Sequence, residues 1–194
     1  MYAKFYLTKV KKIKFPSTDF LINIDYIDLL NLWLNITRRK PEVILEVGSG
    51  YGTFLIIEAI KQLNKKENLV KKFYSLEQNK AYLNLVKKNM NKSQLQKVIF
   101  IVINLKIKEL FNRKVSICTN FPKDKINFFY EDRSDHTKFN VAGDALNIEH
   151  KMPADFFICV DGMNSTVSFY KKHLKRKYKL SGGIFSGTNF EPVN

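Results

Sequence analysis

Apolar and polar positions follow one another along this chain in two rhythms, one typical of strands and one typical of helices. Residues 43–47 form a nearly continuous apolar run, which favours a parallel strand that is covered on both faces. Residues 54–63 then place apolar side chains at helical spacing. The cycle continues with a strand over 72–77, a helix over 79–90 and a strand over 98–103. This alternation predicts an α/β fold with a doubly wound, mostly parallel, Rossmann-like sheet.

The segments on either side of this core follow the same rhythm less regularly. We predict an N-terminal helical segment over 17–37, with Ile27, Leu30 and Leu34 on its apolar face and Trp33 beside that face. Strands over 155–160 and 183–186 flank a later helix. Residues from about 111 to 150 break the rhythm, and we interpret them as an insertion before the fourth strand, with 115–119 and 126–131 as candidate extra strands. The chain as a whole, residues 1–194, is predicted to be one domain.

Composition narrows the class of protein without changing this picture. Hydrophobic residues make up 45% of the chain and charged residues 26%, as in ordinary folded domains. No apolar run approaches the roughly 18 residues of a membrane helix, and the N-terminus lacks a secretory signal. Cys118 and Cys159 stand in unrelated contexts, which indicates reduced thiols and not a zinc or disulfide framework. We therefore expect a cytoplasmic protein without membrane insertion.

The charge balance is strongly basic. Lys and Arg number 33 against 18 Asp and Glu, giving a formal charge of +15, which would attract nucleic acid or another acidic partner. Most of these cations are lysines, and Arg is the residue that makes bidentate phosphate contacts. A solvated lysine-rich surface and a functional anion-binding face both remain open. The basic run over 171–180 is explained by its position near a helix end.

The residues that follow the first strand have a pattern suited to chemistry. The segment EVGSGYGT, residues 46–53, brings Gly48, Gly50 and Gly52 to the carboxyl end of that strand, where doubly wound sheets bind ligands. The dinucleotide fingerprint would need glycine at position 53, where this chain has Thr53. A second acid, Glu77, ends the second strand. A tight turn without ligand and a strand-end carboxylate paired with lysine are the structural alternatives.

Together, EVGSGYGT, SLEQN and the later VDG resemble the motifs of the class I S-adenosylmethionine-dependent methyltransferases. The resemblance implies S-adenosylmethionine as the cofactor and methyl transfer as the reaction. It also implies that Glu46 orders the glycine loop near the methionine amino group and that Glu77 accepts both ribose hydroxyls. The other residues that it places at the cofactor are Gly48, Ser49, Gly50, Gly52 and, near the adenine, Gln78 and Asn79.

One cofactor position has two candidates. The family carries an adenine-contacting acid after the third strand, where this chain has Asn104. Asp144 is the rival, because it precedes Asp161 by an interval familiar in the family. Strand order favours Asn104.

The resemblance makes Asp161 the first candidate for chemistry, since it places this residue after the fourth strand beside the methyl donor. Asp161 would act as base, orient the acceptor or hold the loop. Magnesium-dependent relatives need more ligands than Asp161 and Asn189 supply, so we expect no metal. His136 is a candidate general base in the polar cluster over 130–136, whose alternative is a solvated loop.

The methyl acceptor has no readable motif, and a small molecule is slightly favoured over nucleic acid. The rival functions are an aminopropyltransferase-like enzyme and a nonenzymatic module that binds an adenosyl cofactor or RNA. Family sheets continue after strand five with a helix and an antiparallel hairpin, which this chain is expected to lack. The exposed strand edge would then be covered by residues 113–135 or by a partner chain in a homodimer.

Overall fold

The computed structural model describes residues 8, 10, 11, 13, 25–65, 67–133, 141–182 and 187–193. Its helices are α1 Tyr26–Arg39, α2 Tyr51–Asn64, α3 Lys80–Lys88, α4 Lys92–Leu95, α5 Asp144–Ile148 and α6 Asn164–His173, with a 3₁₀ turn at Glu149–Lys151. Its strands are β1 Val43–Val47, β2 Lys72–Glu77, β3 Ile99–Val102, β4 Leu105–Leu110, β5 Arg113–Cys118, β6 Phe128–Glu131, β7 Val141–Ala142, β8 Phe157–Val160, β9 Tyr178–Gly182 and β10 Thr188–Pro192.

The central sheet has the strand order β3-β2-β1-β6-β8-β10-β9. Strands β1, β2, β3, β6 and β8 pair in parallel, whereas β10 runs antiparallel to both β8 and β9. The predicted doubly wound, mostly parallel sheet is therefore confirmed. Its first three strands fall where the apolar pattern placed them, because long apolar runs bounded by polar turns carry a strong local signal.

The second half of the sheet corrects the predicted strand numbering. Residues 126–131 were expected to form an extra strand, but β6 lies between β1 and β8 at the centre of the sheet. The strand that ends before Asp161 is therefore the fifth parallel strand and not the fourth. The rhythm was misleading because the chain reaches β6 through the β4–β5 hairpin and not through a crossover helix.

The C-terminal end of the sheet also differs from the expectation. The predicted fifth strand, residues 183–186, lies outside the described residues, and the strands on either side of it, β9 and β10, pair as the antiparallel hairpin that the sheet was expected to lack. Strand β10 pairs with β8, whereas residues 113–135 or a partner chain were predicted to cover the edge of the last strand. Residues 113–118 belong to a second sheet, ordered β4-β5-β7. Within the described chain, the edges of the central sheet are β3 and β9.

Two hydrophobic cores cover the two faces of the central sheet. Alternate residues of β1 enter different cores, with Ile44 packed among residues of α1 and α2 and Leu45 among residues of α5 and α6. Phe128 and Phe129 of β6 divide in the same way. This double burial explains why β1 and β6 read as continuous apolar runs.

Helix α1 begins later than predicted. Asp25 caps it by accepting hydrogen bonds from the amides of Ile27 and Asp28, and residues 17–24 lie outside the described chain. Its buried side chains are Leu29, Leu32, Trp33 and Ile36. Ile27 is 52% exposed, so the predicted apolar face is rotated, and Trp33 belongs to the core. Within the described chain, the longest helices are too short or too polar to cross a bilayer.

Candidate active site

The glycine turn after β1 is held against two neighbouring strands. The Gly48 amide donates a hydrogen bond of 2.8 Å to the Leu76 carbonyl of β2. Gly48 has a φ of 99°, in the left-handed region, and a Cβ at this position would lie 1.6 Å from the Asp132 carbonyl oxygen. Glycine is therefore required here by conformation and by close approach, and the turn is fitted to the loop that follows β6.

Glu46 stabilises the turn through buried hydrogen bonds. Its side chain is fully buried, and its Oε2 accepts hydrogen bonds of 2.6 Å from both Thr53 Oγ1 and Ser75 Oγ. Burial raises the pKa of Glu46 well above its usual range. Thr53 also accepts a bond of 3.0 Å from the Gly50 amide, which closes the start of α2. The role of Glu46 in ordering the loop stays a prediction, and these contacts support it.

Thr53 and Ser75 were missed as functional residues, although Thr53 carried a signal. It replaces the third glycine of a dinucleotide fingerprint, and only its contact with Glu46 explains why. Gly52 is constrained by the same carboxylate, because a Cβ there would lie 2.7 Å from Glu46 Oε1. That oxygen is buried and has no hydrogen-bond partner among the described residues.

Glu77 sits at the end of β2 beside the same turn. Its Oε2 accepts from the Ser49 amide at 3.2 Å and its Oε1 from the Asn79 amide at 2.8 Å. Burial raises the pKa of Glu77, while the amides of Asn79, Ser49 and Gln78 oppose this by stabilising the anion. An ionised carboxylate has about four acceptor positions, so Glu77 retains capacity for two further donors.

An open cleft lies beside these groups. Its lining combines apolar strand ends with the polar groups of the first two turns, namely Val47, Gly48, Leu76, Glu77, Gln78, Ile103, Leu105 and Arg133. Asn104 is exposed between two of these lining residues at the end of β3. The structure thus brings together the predicted positions Gly48, Glu77 and Gln78 at one cleft and leaves Asn104 next to it.

The rival residue Asp144 lies elsewhere. Its side chain is fully buried, forms an ion pair with Arg133 and accepts a hydrogen bond of 2.7 Å from the Cys118 amide. It does not line the cleft. Its interval before Asp161 reflects the crossover segment between β6 and β8, so we retain Asn104 at the cofactor position.

Arg133 and its partners form a buried polar network behind the cleft. Arg133 is 8% exposed, donates a 2.9 Å bond to Ser116 Oγ and lies 3.4 Å from Glu131 Oε1. Glu131 Oε2 accepts from the Tyr170 hydroxyl at 2.5 Å. The expected solvated loop is therefore wrong for residues 130–133, which end the central strand. His136 lies outside the described residues.

On the opposite face of the same loop, three acids converge. We call Asp28, Asp132 and Asp161 the carboxylate cluster. The Tyr130 hydroxyl lies 3.1 Å from Asp161 Oδ2 and 3.3 Å from Asp132 Oδ2. Burial and the neighbouring Asp161 raise the pKa of Asp28 to about 8 and that of Asp132 to about 7. Such acids share protons near neutrality and can accept one from a bound group.

Asp161 is the only cluster member that sequence reasoning selected. The two others come from α1 and from the loop after the fourth parallel strand, and the misassigned β6 hid the signal of Asp132. Asn189 is not available to this cluster, since its amide is bonded to Asn31 and Asn35 of α1 at 3.0 to 3.2 Å. Within the described chain, no group of three or more His, Cys, Asp or Glu has an arrangement that could hold a metal.

Structure comparison, and not sequence comparison, found proteins similar to this chain. No family model and no curated protein matches this chain in sequence. Among solved structures, an SAH-bound methyltransferase of Podospora anserina has a TM-score of 0.61 and 12% identity, over 99% of this chain and 88% of that chain. An O-methyltransferase of Bacillus cereus in complex with SAH has a TM-score of 0.54 and 12% identity, over 99% and 90%.

A third similar structure is the O-methyltransferase TomG of Streptomyces achromogenes in complex with SAM, with a TM-score of 0.52 and 12% identity, over 97% and 90% of the two chains. At these identities the likeness concerns the fold. The chain has the class I S-adenosylmethionine-dependent methyltransferase fold over nearly its whole length, as the motifs around Gly48 and Glu77 predicted.

Proposed function

We propose that this protein, which has the class I methyltransferase fold, is an S-adenosylmethionine-dependent methyltransferase. The observation that carries the proposal is the pairing of Gly48 with Glu77 across one cleft. Both residues line this cleft, and Glu77 presents a carboxylate that backbone amides hold in place. Three structures with this fold have SAH or SAM bound according to their descriptions.

The residues present fit an adenosyl cofactor. The apolar ends of β1, β2 and β3 would enclose the adenine, with Gln78 and Asn104 at its edge. Glu77 would accept the ribose hydroxyls. Glu46 Oε1, which is buried and unpaired among the described residues, would attract the cationic amino group of a methionine moiety. When bound, the cofactor supplies a methyl group on a sulfonium, which transfers by in-line displacement.

The contribution of the chain to that transfer is alignment and proton handling. Asp161 lies at the carboxyl end of β8, and its Oδ2 lies within hydrogen-bond distance of Tyr130. The carboxylate cluster would orient a hydroxyl or amine acceptor and take up its proton, because acids with pKa values near 7 and 8 are partly ionised at neutral pH. Asp132 and Asp28 therefore join Asp161 in this role.

A small-molecule acceptor is the first choice. Two of the similar structures are O-methyltransferases by name. The proposal includes a cytoplasmic location, supported by two buried free thiols, Cys118 and Cys159. A homodimer would use the β3 edge, where Ile99 and Val102 are 47% and 43% exposed. Sedimentation of the protein against an Ile99→Lys variant tests the dimer, and identical monomer masses would reject it.

Calorimetry tests the cofactor assignment directly. The protein is titrated with S-adenosylmethionine, with S-adenosylhomocysteine and with NAD. Saturable binding of the first two and none of the third is expected, because Glu46 and the ribose-directed Glu77 favour an adenosyl amino acid over a pyrophosphate. Binding of NAD alone would replace the proposal with a dehydrogenase-type site. Absence of binding by all three would reject it.

A further inference from the structure

The β4–β5 hairpin ends in a turn with an unusual composition. Phe111 and Asn112 are the two turn residues, with φ values of 52° and 58°. Both values lie in the left-handed region that two-residue hairpin turns require, where Asn and Gly are common and a bulky aromatic residue is strained. Phe111 is also 59% exposed. Turn formation alone does not explain a phenylalanine at this position.

The Phe111 ring makes one defined contact. It stacks on His173 at the end of α6, with ring centroids 3.8 Å apart and ring planes 12° from parallel. The buried Phe169 supports the pair edge-on, at 6.1 Å from Phe111. Because one face of the Phe111 ring lies on His173, the exposed fraction belongs to the opposite face and the ring edge. We call the stacked pair of Phe111 and His173 the aromatic platform.

The hairpin and the end of α6 carry more cations than acids. Burial and the nearby charges of Lys172 and Arg113 lower the pKa of the His173 imidazole. The hairpin also carries one acid, Glu109, opposite Lys114. Other exposed cations on the hairpin and on the end of α6 are Lys106, Lys108, Lys114, Lys171 and Lys175. Among the ion pairs of the described chain, none involves any of these side chains. The surface therefore carries positive charge that the protein does not neutralise.

We propose that the aromatic platform and the cations of the hairpin and of α6 form a docking surface for single-stranded nucleic acid. An open aromatic face stacks with an unpaired base of any identity, and flanking lysine and arginine side chains contact the phosphates on either side. A duplex does not offer a free base face, so it lacks the stacking contribution. The proposal goes beyond methyl transfer and does not depend on it, since the surface is separate from Gly48 and Glu77.

Fluorescence anisotropy tests this surface with labelled oligonucleotides of about 12 nucleotides, within the range of known single-strand sites. Oligo-U, oligo-dT and a duplex of matched length are titrated at about 50 and 200 mM salt. Single strands are expected to bind more tightly than the duplex, and the comparison of U with dT distinguishes RNA from DNA. Equal binding of single strand, duplex and heparin would overturn the proposal and leave a nonspecific polyanion surface.

Substitutions at Phe111 separate stacking from stability. Phe111→Asn suits the left-handed turn and removes the ring, so the fold should persist while single-strand affinity falls about 5- to 150-fold, the loss expected for one base stack. Phe111→Trp should retain or increase affinity. Single-strand affinity unchanged in folded Phe111→Asn would show that Phe111 only attaches the hairpin to α6, and would overturn the proposal.

A charge control completes the design. Lys171→Gln with Lys172→Gln should weaken the binding of all oligonucleotides. For single strands, the slope of log affinity against log salt concentration should fall in magnitude by about 1.4, the value for two phosphate contacts. Lys123→Gln with Lys125→Gln removes the same charge from the loop of Asp124, which pairs with Lys72 of β2, and should leave binding unchanged. Equal losses in both double variants would mean that only net charge matters. Binding to phosphatidylserine vesicles without binding to oligonucleotides would also reject the assignment.

Discussion

The loop that follows β6 holds acids in two opposite electrostatic environments. On one face, Glu131 and Asp144 are buried around Arg133, which pairs with both. On the other face, the acids of the carboxylate cluster form no ion pair within the described chain. Alternate residues at the strand end point to opposite faces, so Glu131 and Arg133 belong to the first environment and Asp132 to the second.

This difference separates structural acids from functional ones. Removing the cation of a buried ion pair destabilises the native state, because the acids are then buried without a partner. Burial raises the pKa of Glu131, but the charge of Arg133 opposes this rise. In the carboxylate cluster, burial and the neighbouring acids together raise the pKa values of Asp28 and Asp132. Groups of this kind cluster at catalytic sites, where proton transfer requires them. The comparison therefore supports the proposal that proton transfer takes place at Asp161.

The largest expected effect is the loss of stability when Arg133, the partner of Glu131 and Asp144, is replaced. Arg133→Met leaves Glu131 and Asp144 buried without their cation and should lower the free energy of unfolding by about 3 to 5 kcal/mol. Urea denaturation measures this change. Lys72→Met is the matched control, because it breaks the exposed pair with Asp124 and should have a much smaller effect on stability. Similar small losses in both variants would refute a structural role for the network.

A substitution in the carboxylate cluster should change turnover and not stability. Asp161→Asn removes a proton acceptor but keeps a side chain that can bond to Tyr130, so turnover with a competent acceptor should fall about 100-fold or more. Affinity for S-adenosylmethionine should stay within a factor of two. Steady-state kinetics and calorimetry measure the two quantities. Normal turnover would restrict Asp161 to holding its loop.

Glu77 stands between the two environments, since backbone amides and not a cation hold it. Glu77→Ala should weaken S-adenosylmethionine binding by about 1.5 to 3 kcal/mol, the contribution of one charge-assisted hydrogen bond. Glu77→Gln keeps an acceptor oxygen and should lose less. Calorimetry on both variants measures whether Glu77→Gln loses less affinity than Glu77→Ala. Unchanged affinity in the alanine variant would make Glu77 purely structural.

A pH dependence of stability is expected from the raised pKa of Asp28. A carboxyl group whose pKa is raised in the folded state stabilises the fold below its unfolded pKa, near 4, and this stability is lost as pH rises towards 8. The wild-type free energy of unfolding should therefore fall between pH 5 and 8.5 by more than that of Asp28→Asn. Asp124→Asn is the control, because its pKa is lowered in the fold. Parallel pH profiles for wild type and Asp28→Asn would remove Asp28 from the cluster.

The cofactor half of the site could be predicted because its residues are close together in sequence. The turn at Gly48 and the strand end at Glu77 belong to consecutive β–α cycles whose apolar patterns are regular. Thr53 and Ser75 were missed, since their role depends on reaching the Glu46 carboxylate across two strands.

The acceptor half could not be predicted in the same way. Asp28, Asp132 and Asp161 are far apart in sequence, and their meeting depends on where β6 enters the sheet. That strand is four residues long and follows a hairpin, so its local pattern resembled an extra strand. A strand left out of the parallel series changes the number of every later strand, so the strand before Asp161 was numbered fourth when it is the fifth.

The sequence by itself determined the α/β class, the first three strands and the glycine turn, because local hydrophobic periodicity and turn chemistry specify them. Only the tertiary structure decided the order of the later strands, the separation of Asp144 from the cleft and the convergence of the carboxylate cluster. The physical reason is that pairing between distant strands, and the burial that raises carboxyl pKa values, arise from contacts that a linear pattern does not encode.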